Sequence, residues 1–287
     1  MTRATATGSA RIEVALRARA ELGEGPTWDP AGQRLLWVDI LGSRIHGFDP
    51  VSGRRTVQLT EQHVGAAKPR AGGGTVVNLR DGVGLYDPDG TFRWLHRDPL
   101  PGRRGNDAAV APDGALWYGT MRYDEKPGGG ALTRIAADGS ATTVLDDVAV
   151  SNGTGWSPDG SLMYYADSPT GRVDVFTMDG VRATDRRPFV RIDKGQGFPD
   201  GLCVDAEGYV WVALWDGGAV RRYAPDGALD RVVEVPVGRP TACAFGGAAL
   251  TDLYITTAAV GDPHPLAGSL FVVRDAGLGL PQAAFKG

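Results

Sequence analysis

The stretch SPDGSLMYYAD (157–167) sets the reading of the whole chain, because its phrase returns: a turn built on Asp, Pro and Gly, then a short apolar, aromatic strand. WDPAGQRLLWVD (28–39), APDGALWYGT (111–120) and VDAEGYVWVAL (204–214) repeat it, and PRAGGGTVVNL (69–79) and FGGAALTDLYITT (245–257) are looser copies. One turn glycine from each copy, Gly32, Gly73, Gly114, Gly160, Gly208 and Gly247, gives steps of 41, 41, 46, 48 and 39 residues. A period of about 40 to 50 residues with strand-turn-strand content marks propeller blades, each a four-stranded sheet that cannot bury both faces alone. Second turns fall inside the blades, at Asp49–Gly53, Asp87–Gly90, Ala137–Gly139, Met178–Gly180 and Pro225–Gly227. The expected fold is all-β, a single six-bladed β-propeller over residues 1–287 with a metal ion in its central channel. Residues 1–10 are expected to form a flexible N-terminus. The ring is expected to close by RIEVALRA (11–18) pairing in the same blade as SLFVVRD (269–275), which would leave no open edge. Two packed sandwiches would need a boundary near the middle, and none is visible.

Composition narrows the function class. The 42 glycines and 19 prolines are not clustered as in a linker but punctuate runs rich in Val, Leu, Trp and Tyr. A net charge of −4, spread without acidic or basic blocks, gives no reason to expect nucleic acid or an anionic membrane as partner. No apolar run is long enough to span a bilayer, and the opening residues lack the apolar core of a secretory signal. A cytoplasmic protein with no obligatory protein partner is expected. Cys203 and Cys243 make no disulfide framework and are expected as buried reduced thiols.

The repeat also serves as a ruler. Eight residues before each turn glycine stand Glu24, Gly65, Asn106, Asn152, Asp200 and Arg239, so four of six blades carry an oxygen-bearing side chain at one offset. If that offset lies on the innermost strand, the four side chains converge on the pore axis. Carboxylate and amide oxygens without thiolate or imidazole suit a hard divalent cation, and two carboxylates would nearly neutralise it. Arg104, two residues before Asn106, should point into the same channel and suit an oxygen-rich ligand. Taken singly, Asn152-Gly153, Pro199-Asp200-Gly201 and Glu24-Gly25-Pro26 also read as ordinary turn or strand-end sequences. No G-x-S-x-G elbow, H-E-x-x-H helix or phosphate-binding glycine loop occurs. The four histidines, His46, His63, His96 and His264, share no ligand spacing and read as surface or core.

At these residues the chain resembles the gluconolactonase/regucalcin (senescence marker protein) family, from about residue 12 to the C-terminus. The motifs that carry the resemblance include LGEGPTWD (22–29), RGND (104–107), SNGTGWSPDG (151–160), YYADS (164–168) and FPDGLCVDAEGYVWVALW (198–215). The resemblance implies a six-bladed propeller with Glu24, Asn152 and Asp200 as metal ligands, which agrees with three of the four ruler residues. It also implies Arg104 and Asn106 as a substrate-contacting pair, and Asp124 as a substrate-binding acid. One divalent ion is expected, calcium first, with zinc, manganese, magnesium or ferrous iron compatible with the same donors. The implied reaction is hydrolysis of a sugar (aldono-) lactone to its acid. Asp200 is expected to act as base while also a ligand, since no histidine is placed to do so. Other readings stay open: a non-sugar lactone, an ester or phosphotriester, or a calcium-binding propeller with little catalysis.

The chain departs from the family pattern in three places. Gly105 stands where an aromatic is common. Ala108-Ala109-Val110-Ala111 replaces the usual Gly-Lys-Val-Asp, so a lysine is missing at position 109. Lys68 appears where a small residue is usual. In the common strand register Lys68 faces away from the channel unless a bulge shifts it, and it reads as a surface or inter-blade residue.

Overall fold

The computed structural model describes residues 11–287; the expectation for residues 1–10 lies outside them. Six antiparallel sheets of four strands each stand in a ring. Blade 1 is β2 (Gly23–Asp29), β3 (Arg34–Asp39), β4 (Arg44–Phe48) and β5 (Arg55–Leu59). Blade 2 is β6 (Val64–Pro69), β7 (Thr75–Leu79), β8 (Gly82–Tyr86) and β9 (Phe92–Arg97). Blade 3 is β10 (Arg103–Val110), β11 (Leu116–Arg122), β12 (Gly130–Ile135) and β13 (Ala141–Val148). Blade 4 is β14 (Ser151–Trp156), β15 (Leu162–Asp167), β16 (Arg172–Asp179) and β17 (Arg182–Arg191). Blade 5 is β18 (Phe198–Val204), β19 (Val210–Trp215), β20 (Ala219–Tyr223) and β21 (Leu229–Glu234). Blade 6 takes β22 (Pro240–Gly246), β23 (Asp252–Thr257) and β24 (Leu270–Val273) from the end of the chain and β1 (Ile12–Leu16) from its start.

The six-bladed propeller read from the repeat is therefore the fold, and the expected closure holds: β1 pairs antiparallel with β24, Ile12 opposite Val273. The innermost strands touch in sequence around the axis, from β2 through β6, β10, β14 and β18 to β22 and back to β2. Burial follows this layering, complete along β2 and β22 and almost absent along β5. Apolar side chains of neighbouring blades interlock between the sheets. Trp211 of blade 5 meets Phe245 of blade 6 edge to face, and Trp117 of blade 3 meets Trp156 of blade 4 in the same way.

Blade 5 turns on one buried carboxylate. Asp205 is 1% exposed, accepts from the backbone N–H groups of Glu207 and Tyr209, and binds Trp211 Nε1 at 2.9 Å and Arg222 Nη2 at 2.7 Å. The Arg222 guanidinium also lies over the Tyr209 ring. The C-terminal tail was not legible in the repeat. It crosses one end of the propeller, bridging Asp205 through Gly279 and Arg70 through the fully buried Phe285. No helix among the described residues is long and apolar enough to cross a membrane.

Candidate metal and substrate site

Each innermost strand breaks its register once; in blades 1 to 5 the break spans or adjoins the ruler position, and in blade 6 it lies two residues beyond Arg239. The shifts lie between Glu24 and Thr27, Val64 and Ala66, Gly105 and Ala108, Ser151 and Thr154, Pro199 and Leu202, and Pro240 and Ala242. A bulge re-aims the side chains beside it. Glu24, Asn106, Asn152 and Asp200 turn toward the axis and line one open cavity of about 580 Å³ together with Arg104 and Arg239. The sequences that also read as turns are thus parts of strands. The glycines after Asn152 and Asp200 are required by packing, since a Cβ on Gly153 would sit 2.6 Å from the Leu202 nitrogen and one on Gly201 would collide with Ala242.

Hydrogen bonds order the polar wall. Arg104 Nη1 donates to Asn106 Oδ1 at 2.6 Å, Asn106 Nδ2 to Asn152 Oδ1 at 3.1 Å, and Asn152 Nδ2 to Ser168 Oγ at 2.8 Å. Arg104 is 7% exposed and has no carboxylate among its hydrogen-bond partners. Glu24 and Asp200, each 4% exposed, form the acidic floor. Glu24 Oε2 accepts from Gly25 N at 2.7 Å, whereas Asp200 Oδ1 is buried without a partner.

Two such carboxylates repel each other. Burial, then the charge of Asp107, raises Glu24 to about 8, and burial, then Glu24, raises Asp200 well above the carboxylate range. A buried acceptor with no donor beside a second carboxylate and an amide oxygen is a set of donors that a hard cation satisfies, so these residues fit a divalent ion. A pH dependence follows. Glu24 has a folded pKa above its unfolded value of 4.5, so in metal-free protein its contribution to stability is full below about 4.5 and is lost as pH rises through about 8. Cation binding must displace those protons, and affinity should rise with pH by up to about tenfold per unit per proton released. Calorimetry in buffers of different ionisation enthalpy at pH 6 and 8 checks this; equal affinity and no proton release would contradict it.

Asp124 does not join the site. Its carboxylate is held by Arg122 Nε at 2.6 Å and Nη2 at 2.7 Å and is also paired with Lys126, and it is not among the residues lining the cavity. Its neighbours Tyr123 and Glu125 take that place. The reason is local: a bidentate ion pair with Arg122, two residues away, captures the acid. Tyr123, Glu125, Ser168, Phe198 and Trp215 were missed as lining residues. Ser168, Phe198 and Trp215 stood in quoted motifs, and none of them lies at the ruler offset. His63, read as surface or core, is half-buried at the rim and hydrogen-bonds the Tyr123 hydroxyl through Nδ1 at 2.8 Å.

The departures also find their places. Gly105 cannot carry the usual aromatic, because a Cβ there would lie 2.5 Å from Asn78 Oδ1 and 2.7 Å from the Leu79 carbonyl oxygen. Asn78 fills that space and donates to Asn106 O and Gly119 O. Lys68 is inter-blade, as read, but buried rather than on the surface. Its Nζ donates to Thr27 Oγ1 at 2.7 Å and Gly25 O at 3.2 Å, tying β6 to β2 behind Glu24. It lines a separate cavity of about 40 Å³ with Asp107, Ala109 and the tail residues Gln282 and Ala283. Burial raises Asp107, and Lys68 opposes that rise. Lys68→Met should cost roughly 1–3 kcal/mol by leaving its partners unsatisfied. Thermal unfolding checks this, and an unchanged midpoint would show that the tie contributes nothing. Cys203 and Cys243 are buried free thiols 3.7 Å apart, as expected.

Comparison with known proteins agrees with this architecture. Residues 22–259 match the family described as "SMP-30/Gluconolactonase/LRE-like region". The chain is 34% identical to regucalcin of Danio rerio, over 97% of this chain and 99% of that one. It is 35% identical to a 6-deoxy-6-sulfogluconolactonase of Pseudomonas putida, over 96% and 99% of the two chains. The crystal structure of regucalcin from Agrobacterium tumefaciens, a calcium-binding protein, superposes with a TM-score of 0.91 at 31% identity, covering 95% of this chain and 96% of that one. With a family match across most of its length, identity above 30% to relatives over nearly their whole chains and a solved relative that superposes on its ring, the chain belongs to the SMP-30/gluconolactonase/LRE-like family.

Proposed function

We propose that the protein is a metal-dependent lactonase that hydrolyses a sugar-type lactone, with calcium as the expected ion. The observation that carries this reading is the pairing of Glu24 with Asp200, whose Oδ1 lacks any partner, on the floor of an open cavity walled by Arg104 and Asn106. The names of its relatives, sugar lactone lactonase and 6-deoxy-6-sulfogluconolactonase among them, support the same class of reaction.

Glu24, Asn152 and Asp200 would hold the ion, which when bound polarises a carbonyl and compensates the charge of an oxyanion. Arg104, buried and free of carboxylates, donates to substrate oxygen and orients the ring. Asn106 is locked between Arg104 and Asn152 and fixes the angle at which both present their polar atoms. Ser168 accepts from the Asn152 Nδ2 and so fixes the amide with its oxygen toward Asn106. Asp200 takes the proton from the water that attacks the lactone carbonyl carbon. As the ring C–O bond breaks, the same proton passes to the departing ring oxygen, leaving a hydroxy acid. The composition supports a cytoplasmic setting and a small-molecule partner.

The test is lactone opening followed by pH indicator on glucono-, galactono-, arabino- and xylonolactone, after chelation and after return of each divalent ion. Activity that chelation removes, one ion restores and Glu24→Ala abolishes is the expected result. Turnover at the spontaneous rate with an ion demonstrably bound would replace the enzyme with a binding propeller.

A further inference from the structure

The cavity has two unlike halves, and the blades divide them. Blades 3 and 4 supply mostly polar side chains, Arg104, Asn106, Tyr123, Glu125, Asn152 and Ser168, beside the apolar Met121, Val150 and Pro169. The contiguous arc from blade 5 through blade 6 to blade 1 supplies Phe198, Trp215, Val260, Leu22 and Leu41, with Arg239 as the one polar side chain above the acidic floor. Arg239 is already committed: its Nε pairs with Asp216 at 2.7 Å, its Nη1 donates to Val260 O, and its guanidinium lies 4.7 Å over the Trp215 ring. Phe198 and Trp215 are register partners across β18 and β19, and Phe198 leaves 47% of its surface open.

A bare aldonolactone carries hydroxyls around its whole ring. The polar half offers those hydroxyls several partners; against the other half they would lose water and gain almost nothing. A volume of about 580 Å³ also falls in the range of pockets that enclose drug-sized ligands. We infer that the substrate is a lactone with an oxygen-rich ring end and an apolar exocyclic arm, alkyl or aryl. The ring end faces Arg104 and the acidic floor, and the arm lies along Phe198, Trp215, Val260, Leu22 and Leu41. This rests on the lactonase reading and narrows its substrate.

The experiment uses the full chain loaded with the ion that supports turnover, and hydroxylated γ-lactones identical except for hydrogen, hexyl or phenyl on the carbon bonded to the ring oxygen. The kcat/KM should rise at least about tenfold from hydrogen to hexyl or phenyl, the scale of added hydrocarbon in an apolar pocket. Phe198→Ala, at an open position that the fold tolerates, and the Phe198→Ala/Trp215→Ala pair should draw that ratio back toward one. The corresponding lactams, which are not opened, should show the same order of Kd by calorimetry. A preference for the unsubstituted ring, or a ratio that neither variant alters, overturns the arm and leaves the lactonase standing. If no lactone is opened, the lactonase reading fails, and the lactam affinities alone decide whether the apolar arc binds an arm.

Discussion

Asp200→Ala should lower kcat for lactone opening by roughly 10³- to 10⁴-fold, the upper range for loss of a positioned acid-base group. The same change should weaken cation binding, because it leaves Glu24 and the Asn152 amide as the remaining pair of ruler donors nearest the ion. The fold should survive, since Asp200 Oδ1 makes no hydrogen bond and its burial already disfavours the charged form. Removing it relieves electrostatic tension, so the metal-free variant should unfold at the same temperature as the metal-free parent or above it. Asp200→Asn separates the two roles. It keeps an oxygen donor for the ion but cannot take a proton, so it should bind the cation with reduced affinity and still turn over slowly if at all. Near-parental turnover in Asp200→Asn would remove Asp200 as base and leave it a ligand only. Turnover and calorimetric titration of the ion, run on the same preparations, provide both readings.

The largest effect on stability should come from Asp205→Ala. The Asp205 carboxylate is the shared acceptor for Arg222, the Trp211 indole and two backbone N–H groups, and the Arg222 side chain is 7% exposed. Removing one member of a buried pair strands the other charge, at about 3–5 kcal/mol. Glu207 and Asp230 also touch Arg222, but both are partly in water and replace little of that lost interaction. For a chain of this size such a loss lowers the unfolding midpoint by roughly 10 °C. Because Asp205 lies at the turn end of β18 and the site at the other, kcat measured well below that midpoint should stay close to the parental value. A midpoint within about 2 °C of the parent would show that Glu207 and Asp230 compensate after all. The tail bridge from Gly279 to Asp205 makes this turn a junction between blade 5 and the C-terminus.

Much of this molecule could be read from one line of residues. The turn phrase at 157–167 and its five copies gave the blade number, and strand content at both chain ends gave the closure of blade 6 by β1 and β24. The ruler placed Glu24, Asn106, Asn152 and Asp200 in one cavity because a repeat carries each offset to an equivalent place in the ring. Every inner strand also carries a bulge that the sequence did not display, at or beside that offset in blades 1 to 5 and two residues beyond it in blade 6. Period-2 alternation is enough to put Glu24 and Asn106 toward the large cavity while Thr27 and Asp107, an odd number of residues on, face the small one. Asp124 shows the opposite case. A loop side chain obeys no repeat, and an arginine two residues away decided where it went.

What the sequence determined by itself was therefore everything periodic: the number of blades, their order, and the residue types held at each offset. Tertiary structure alone decided what is not periodic. Lys68 became a buried tie behind Glu24, Asn78 took the space above Gly105, the tail sealed one end, and side chains from blades 5, 6 and 1 joined into an apolar arc. Local turn chemistry and strand patterning act over a few residues and leave their mark in each repeat, whereas contacts across the ring join residues dozens to hundreds of positions apart. Those contacts exist only once the ring has closed.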